Sequence, residues 1–168
     1  RSTLEIADQI DDAEPGSVAV FPWIQYRRYD WNDDRIVLDP WNRLLRKDVV
    51  INDGLPLRDG YIAGEDPQAS AVSRLMATEE HLVPGFRALG IRHVLILTDQ
   101  PGQDISSDKL MGARLVRQAD GIQWWDLGNV QTRETSSSHS DMFGWYMAGF
   151  ALILLVSVFV FETRKIKM

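Results

Sequence analysis

Cysteine is absent from this 168-residue chain, and histidine occurs only three times. The missing cysteine excludes disulfide bonds, thiolate nucleophiles and cysteine-ligated zinc or iron–sulfur centres. The histidines, His81, His93 and His139, have no metal-binding spacing, so no metal site is expected. The sequence also lacks the Walker, Gly-x-Gly-x-x-Gly and Gly-x-Ser-x-Gly motifs, and we predict no catalytic residue and no cofactor.

Basic residues are scarce in the body of the chain. Residues 1–141 carry 15 Lys and Arg against 23 Asp and Glu, whereas the residues after Phe161 carry three basic side chains and one Glu. Nucleic-acid binding depends on clustered positive charge, so this balance argues against a DNA or RNA partner.

A long apolar run lies near the C-terminus. Met142–Phe161 is twenty residues without a charge, which at about 1.5 Å per residue spans the hydrocarbon core of a bilayer as a helix. The alternative, a buried core helix, rarely runs this long without a polar face. We therefore predict one transmembrane helix, and the lipid bilayer as a partner.

The residues that flank this run predict its orientation. Trp145 and Tyr146 mark one membrane interface, and Arg164, Lys165 and Lys167 follow the other end. Since positive charge favours the cytoplasmic side, the tail 162–168 is predicted to be cytoplasmic and the body extracytoplasmic. The sequence thus divides into an extracytoplasmic domain 1–127, a polar Ser/Thr-rich spacer 128–141, the span 142–161 and the basic tail.

Short apolar runs predict the fold of the domain. Ser17–Phe21 and His93–Thr98 are typical of strands covered on both faces, and a helix from Pro67 to Ala77, capped by Asp66, lies between them. A second helix ends at Gly90, which makes the two strands parallel by the crossover rule. Asp120-Gly121 predicts a type I′ turn between two further strands. Weak strands are expected at 35–38 and 48–51, with a turn of helix around Trp41.

These elements define a fold class. The sequence predicts an α/β domain with a small mixed sheet that has two central parallel strands, flanking helices and a C-terminal β-hairpin, followed by one transmembrane helix.

The residues after the two central strands are the candidate ligand contacts. They combine aromatic rings with planar polar groups, which suits a sugar, because its C–H face stacks on a ring while its hydroxyls bond carboxylates and amides. The alternative is that these aromatics pack a loop onto the sheet. The predicted glycan contacts are Trp23, Tyr26, Tyr29, Trp31, Asp99 and Gln100.

A basic turn offers a second candidate site. Arg43, Arg46 and Lys47 could bind a lipid phosphate or headgroup, because guanidinium groups match phosphate geometry. The alternative, which we favour, is a solvated turn paired with nearby Asp residues.

Three segments carry a resemblance to a known family. They are Gly16-Ser-Val-Ala-Val-Phe-Pro-Trp23, Tyr29-Asp-Trp-Asn32, and Phe86-Arg-Ala-Leu-Gly-Ile-Arg-His-Val-Leu-Ile96 with Asp99-Gln-Pro-Gly102. The chain resembles the C-terminal extracytoplasmic region of actinobacterial polytopic membrane proteins related to GT-C glycosyltransferases. The resemblance implies use of polyprenyl-phosphate sugars by a catalytic acidic residue outside this chain. It also implies a missing N-terminal transmembrane region, in agreement with a chain that begins Arg1-Ser2-Thr3.

Two functions are therefore expected. The first is a non-catalytic accessory domain of a cell-envelope glycosyltransferase-like membrane protein, which contacts cell-wall glycan or packs on the catalytic membrane half. The second is a membrane-tethered module that binds a protein partner through the same aromatics and has no role with glycan.

Overall fold

The computed structural model of the chain describes residues 2–29, 32–102 and 104–130, and a five-stranded mixed sheet organises them. All lie within the unit that spans residues 1–133. In chain order the elements are α1 Ser2–Asp12, β1 Ser17–Phe21, β2 Tyr26–Arg28, β3 Ile36–Leu38, α2 Trp41–Leu44, β4 Val49–Val50, β5 Leu55–Leu57, β6 Gly60–Ile62, α3 Pro67–Thr78, α4 Val83–Ala88, β7 Ile91–Leu97, a 3₁₀ turn Ser107–Leu110, β8 Arg114–Ala119 and β9 Ile122–Asp126.

The sheet contains both parallel and antiparallel strands. Its order is β4-β1-β7-β9-β8, in which β1 is parallel to β4 and β7, and β9 is antiparallel to β7 and β8. The strands β2 and β3 form a separate hairpin, as do β5 and β6. The predicted mixed α/β class with flanking helices is confirmed, and the two central strands are parallel neighbours.

Helices cover both faces of the sheet. Successive side chains of a strand point to opposite faces, so each strand packs against helices on both sides. Val18 and Val20 of β1 pack with α1 and with Trp41, whereas Ala19 and Phe21 pack with α3 and α4. Burial of each large apolar side chain contributes about 1.5–3 kcal/mol, so two buried faces explain why β1 and β7 are apolar runs without alternation.

The chain connections reverse direction between β1 and β4. The connection from β1 to β4 passes through α2 on the α1 face, and the connection from β4 to β7 passes through α3 and α4 on the opposite face. The loops after these two adjacent strands therefore diverge. In α/β sheets, ligand crevices form at the carboxyl ends of the parallel strands.

Both expected weak strands are present, and each is shorter than predicted. Ile36–Leu38 pairs with β2 in a separate hairpin, and the segment at 48–51 contributes Val49–Val50 to the main sheet. The helix α1 and the hairpin β5–β6 were not predicted at all.

The membrane segment cannot be compared with these elements. The predicted span Met142–Phe161, its flanking residues Trp145, Tyr146, Arg164, Lys165 and Lys167, and most of the spacer lie outside the described residues. Within the described ranges, no helix has the length and apolar character needed to cross a bilayer.

Candidate functional site

A cleft of about 540 Å³ opens at the carboxyl end of β4. It lies between the β5–β6 hairpin and the first turns of α3. We call it the β4 cleft. Its lining residues are Asn52, Asp53, Tyr61, Ala63, Gly64, Pro67, Ala69, Ser70, Ser73 and Arg74.

Asn52 forms the inner end of the β4 cleft and joins three segments. Its side-chain Nδ2 donates to the carbonyl oxygen of Trp23 at 3.1 Å, which ties β4 to the loop after β1. Its Oδ1 accepts from the Gly54 N–H at 3.0 Å and from the Tyr61 hydroxyl at 3.3 Å. The hairpin is thereby held against the end of β4.

Asp53 connects the cleft to the start of α3. Its Oδ2 accepts from the Asp66 N–H at 2.8 Å, and the Asp66 side chain in turn accepts from the Gln68 N–H at 2.8 Å. Asp66 is the N-cap that the sequence predicted, with Pro67 in the first turn. These hydrogen bonds hold the Asp53 carboxylate beside the N-terminus of α3.

The inner wall of the cleft comes from α3. Ser73 accepts a hydrogen bond at 2.9 Å from the indole Nε1 of Trp23. Trp23 is only 3% exposed, and its ring packs 5.3 Å from that of Phe21 in the core. Its ring face is therefore covered, and Trp23 supports the cleft from behind. Ser70 and Arg74, which also line the cleft, are exposed on the outer part of the wall.

A buried ion pair shapes the loop after β1. The Nε of Arg27 pairs with Oδ2 of Asp39, and neither side chain is exposed to solvent. Arg27 also donates to the carbonyl oxygen of Pro22 at 3.0 Å, and Asp39 Oδ1 accepts from the Trp41 N–H at 2.8 Å. These contacts fix the β2–β3 hairpin against the end of β1 and the start of α2.

Four of the predicted glycan contacts, Tyr26, Tyr29, Asp99 and Gln100, lie on β2 or in the segments that follow β2 and β7. Tyr26 is exposed on β2, and Asp99 is exposed just after β7. Gln100 Oε1 accepts from the Arg28 N–H at 3.1 Å, so the loops after β1 and β7 meet. Burial raises the pKa of Tyr29 well above its ordinary value, and the nearby carboxylates of Asp39 and Asp99 raise the pKa further. Trp31 lies outside the described residues.

The basic turn is occupied by local contacts. The guanidinium of Arg46 pairs with Asp11 at 3.2 Å and with Asp12 at 3.4 Å. Lys47 donates through Nζ to the carbonyl oxygens of Ala13 and Glu14. Arg43, in the last turn of α2, is exposed. The side chains of Arg46 and Lys47 therefore donate hydrogen bonds to the end of α1 and to the turn that follows it.

The sequence did not predict the β4 cleft. Asn52, Tyr61 and Ser73 come from three different segments, and no local motif joins them. The available signal was the position of Asn52-Asp53 directly after a strand and before the Asp66-Pro67 helix start. Across the ranges that the structure describes, no three His, Asp or Glu side chains are grouped so as to hold a metal ion.

The β4 cleft and the residues on and beside β2 thus form two separate regions at the carboxyl end of one sheet. Comparisons of the chain with protein-family models, with curated protein sequences and with solved structures find no match.

Proposed function

We propose that this chain is the non-catalytic, extracytoplasmic accessory domain of a cell-envelope membrane protein of the GT-C glycosyltransferase type. In this proposal Met142–Phe161 anchors the domain, the C-terminus is cytoplasmic, and the parent protein uses a polyprenyl-phosphate sugar. The domain presents the carboxyl end of its sheet to glycan and packs beside the catalytic membrane half.

One observation carries the glycan part of the proposal. The loops after β1 and β7 meet at one end of the sheet, and the segments that meet there carry an exposed tyrosine, an exposed carboxylate and an amide. These are Tyr26, Asp99 and Gln100. An aromatic face beside planar hydrogen-bonding groups is the arrangement that sugars favour. The acidic balance of the body supports a neutral polyol over a polyanion.

Glycan binding by the full chain tests this proposal. The chain, held in detergent micelles, is applied to an array of arabinan and mannan fragments. We expect retention of at least one glycan class, and weaker retention of the Tyr26→Ala variant. Leu115→Ala on β8, which also removes an exposed apolar side chain, is the control and should bind normally. An array without signal, or equal loss in both variants, contradicts the glycan role.

A second function is favoured by a different observation. The β5–β6 hairpin exposes three large apolar side chains on one face, Leu55, Leu57 and Ile62, because Leu55 pairs with Ile62 and Leu57 with Gly60. A contiguous exposed apolar patch is typical of a protein-binding surface. In this reading the chain is a membrane-tethered module that recruits a protein partner.

Cross-linking separates the two functions. If the second holds, a stoichiometric protein partner is recovered with the full chain, Leu57→Ser abolishes its recovery, and glycans have no effect. Recovery that is unchanged in Leu57→Ser argues against the hairpin as the contact.

A further inference from the structure

We propose that the β4 cleft binds one or two rings of a neutral, hydroxyl-rich ligand, of the kind that sugars provide. The inference deepens the proposed function and rests on it in one respect, that the domain meets glycan. The cleft is a different surface from the one around Tyr26. Its volume of about 540 Å³ lies within the range of small-ligand sites.

The lining supplies the two components of sugar recognition. Tyr61 is 59% exposed, and its hydroxyl is fixed on Asn52, so the ring is oriented while much of its surface remains open. An aromatic surface of this kind stacks on the C–H face of a pyranose or furanose ring. Asn52, Asp53, Ser70 and Ser73 add an amide, a carboxylate and two hydroxyls, which donate to and accept from ligand hydroxyls.

The charges of the cleft favour a neutral ligand. One carboxylate, Asp53, and one guanidinium, Arg74, line it, and neither has an ion-pair partner within the described ranges. An anion would meet the carboxylate and a cation would meet the guanidinium. A polyol can accept a hydrogen bond from Arg74 and donate one to Asp53 without either conflict.

Two glycines allow the polar groups to occupy these positions. A Cβ at Gly54 would lie 1.7 Å from the Tyr61 hydroxyl oxygen, and a Cβ at Gly64 would lie 1.7 Å from Asp53 Oδ1. Neither glycine has a positive φ angle, so the space, and not the backbone conformation, requires glycine there. A side chain at either position would therefore have to displace the Tyr61 hydroxyl or the Asp53 carboxylate from the cleft.

Trp23 provides a reporter for the cleft. Its indole N–H donates to Ser73 Oγ, a lining atom, so a ligand that engages this hydroxyl should shift the indole N–H resonance. The indole N–H of Trp124 donates to His93 Nδ1 on the opposite face of the sheet and should stay unchanged. Trp23→Phe and Trp124→Phe assign the two signals among those of the six tryptophans.

The experiment is a titration of the full chain, labelled with ¹⁵N-tryptophan in detergent micelles. The probes are a mannose disaccharide and an arabinose disaccharide. We expect a saturable shift of the Trp23 signal with a Kd on the order of 1 mM for at least one probe. Tyr61→Ala should weaken binding about tenfold, because it removes the stacking ring, and Gly64→Ala should weaken it by displacing Asp53. Leu115→Ala on β8, which lies in neither surface, is the control and should titrate like the parent chain.

The outcomes distinguish this inference from the proposed function. Binding that is lost in Tyr61→Ala and kept in Tyr26→Ala supports the cleft. Binding that is lost in Tyr26→Ala and kept in Tyr61→Ala overturns the cleft and leaves the glycan role of the domain in place. If neither disaccharide moves the Trp23 signal while the array retains longer glycans, the cleft is overturned alone. If the array is silent as well, both proposals fail.

Discussion

A single buried ion pair organises the loop between β1 and α2. Arg27 and Asp39 are twelve residues apart, both are almost completely buried, and both make further hydrogen bonds to the backbone. Removing one partner of such a pair leaves the other as an uncompensated buried charge, which costs more than losing a surface ion pair.

Asp39→Ala is therefore expected to lower the free energy of unfolding by about 3–5 kcal/mol. Urea denaturation followed by tryptophan fluorescence measures the change. The control is Asp12→Ala, because the Asp12 side chain is 80% exposed and its pair with Arg46 is a surface pair worth about 1 kcal/mol or less. A similar loss in the two variants would show that burial of the Arg27–Asp39 pair has no special cost.

His93 carries a pH dependence of stability. Its Nε2 donates to the Glu14 carbonyl oxygen at 2.9 Å, and its Nδ1 accepts from the Trp124 indole at 3.3 Å, so the neutral ring satisfies both neighbours. Burial lowers the pKa of His93 below its ordinary value of 6.5, although the hydrogen bond to Glu14 opposes this effect. A proton on Nδ1 would make this nitrogen a donor, so it could no longer accept the hydrogen bond from the Trp124 indole N–H.

The direction of this pH dependence follows from the difference in proton binding between the folded and unfolded chains. The unfolded chain takes up a proton at His93 near pH 6.5, whereas the folded chain does so only at lower pH, so stability is retained above pH 6.5 and declines as the pH falls below it. Urea midpoints between pH 7.5 and 5 should show this decline, and His93→Gln should flatten it. The exposed His81→Gln variant should keep the decline. A parent chain whose midpoint is constant across this range contradicts the assignment.

At the scale of elements, the join between β1 and β7 depends on one glycine. Gly16 has a φ of 146°, and a Cβ there would lie 2.4 Å from the Cβ of Arg92, beside the register shift between the two strands. Gly16→Ala should therefore lower the free energy of unfolding by about 2–4 kcal/mol, because the strands must separate.

The control for this prediction lies at another strand boundary. Gly60, at the start of β6, has no atom within 4 Å of an added Cβ and no positive φ angle. Gly60→Ala should change stability by about 0.5 kcal/mol or less. Thermal unfolding of both variants makes the comparison, and equal melting temperatures would show that β1 and β7 tolerate the extra atom.

Elements with a local signal were predicted, and elements that depend on distant partners were not. The apolar runs of β1 and β7, the Asp66-Pro67 start of α3 and the Asp120-Gly121 turn each follow from neighbouring residues. The helix α1 was missed although Ile6, Ala7 and Ile10 have helical spacing. The β2–β3 hairpin needed the Arg27–Asp39 pair, which no local pattern shows.

The candidate site was anticipated only in its general place. The sequence located the carboxyl ends of the central strands, but it assigned Trp23 a surface role, whereas its side chain is buried and bonded to Ser73. Aromatic residues after a strand serve packing or binding equally well, and burial distinguishes them only after folding. No local pattern indicates Tyr61, because β5 contains Pro56 and proline is atypical of a strand interior.

At the scale of the whole molecule, the described domain and the apolar C-terminal run have opposite solvent preferences. An acidic body with 23 Asp and Glu in residues 1–141 favours water, and the uncharged run Met142–Phe161 favours lipid. We predict that the full chain fractionates with membranes and that a chain ending at Asp141 does not. Ultracentrifugation of cell extracts after a carbonate wash measures the partition.

A charge within the run separates insertion from simple aggregation. Leu152→Lys together with Leu155→Lys places two charges near the middle of the predicted helix, at about 2.5–3.5 kcal/mol each, so insertion should fail. A matched Leu152→Ala, Leu155→Ala chain has the same helix length and should still insert.

Protease added outside intact cells tests the orientation of the inserted chain. It should digest the domain of the matched alanine chain and leave the tail with Arg164 protected. A membrane-bound chain whose domain resists the protease while its tail is cut would reverse the orientation, because the positive residues at 164, 165 and 167 would then lie outside.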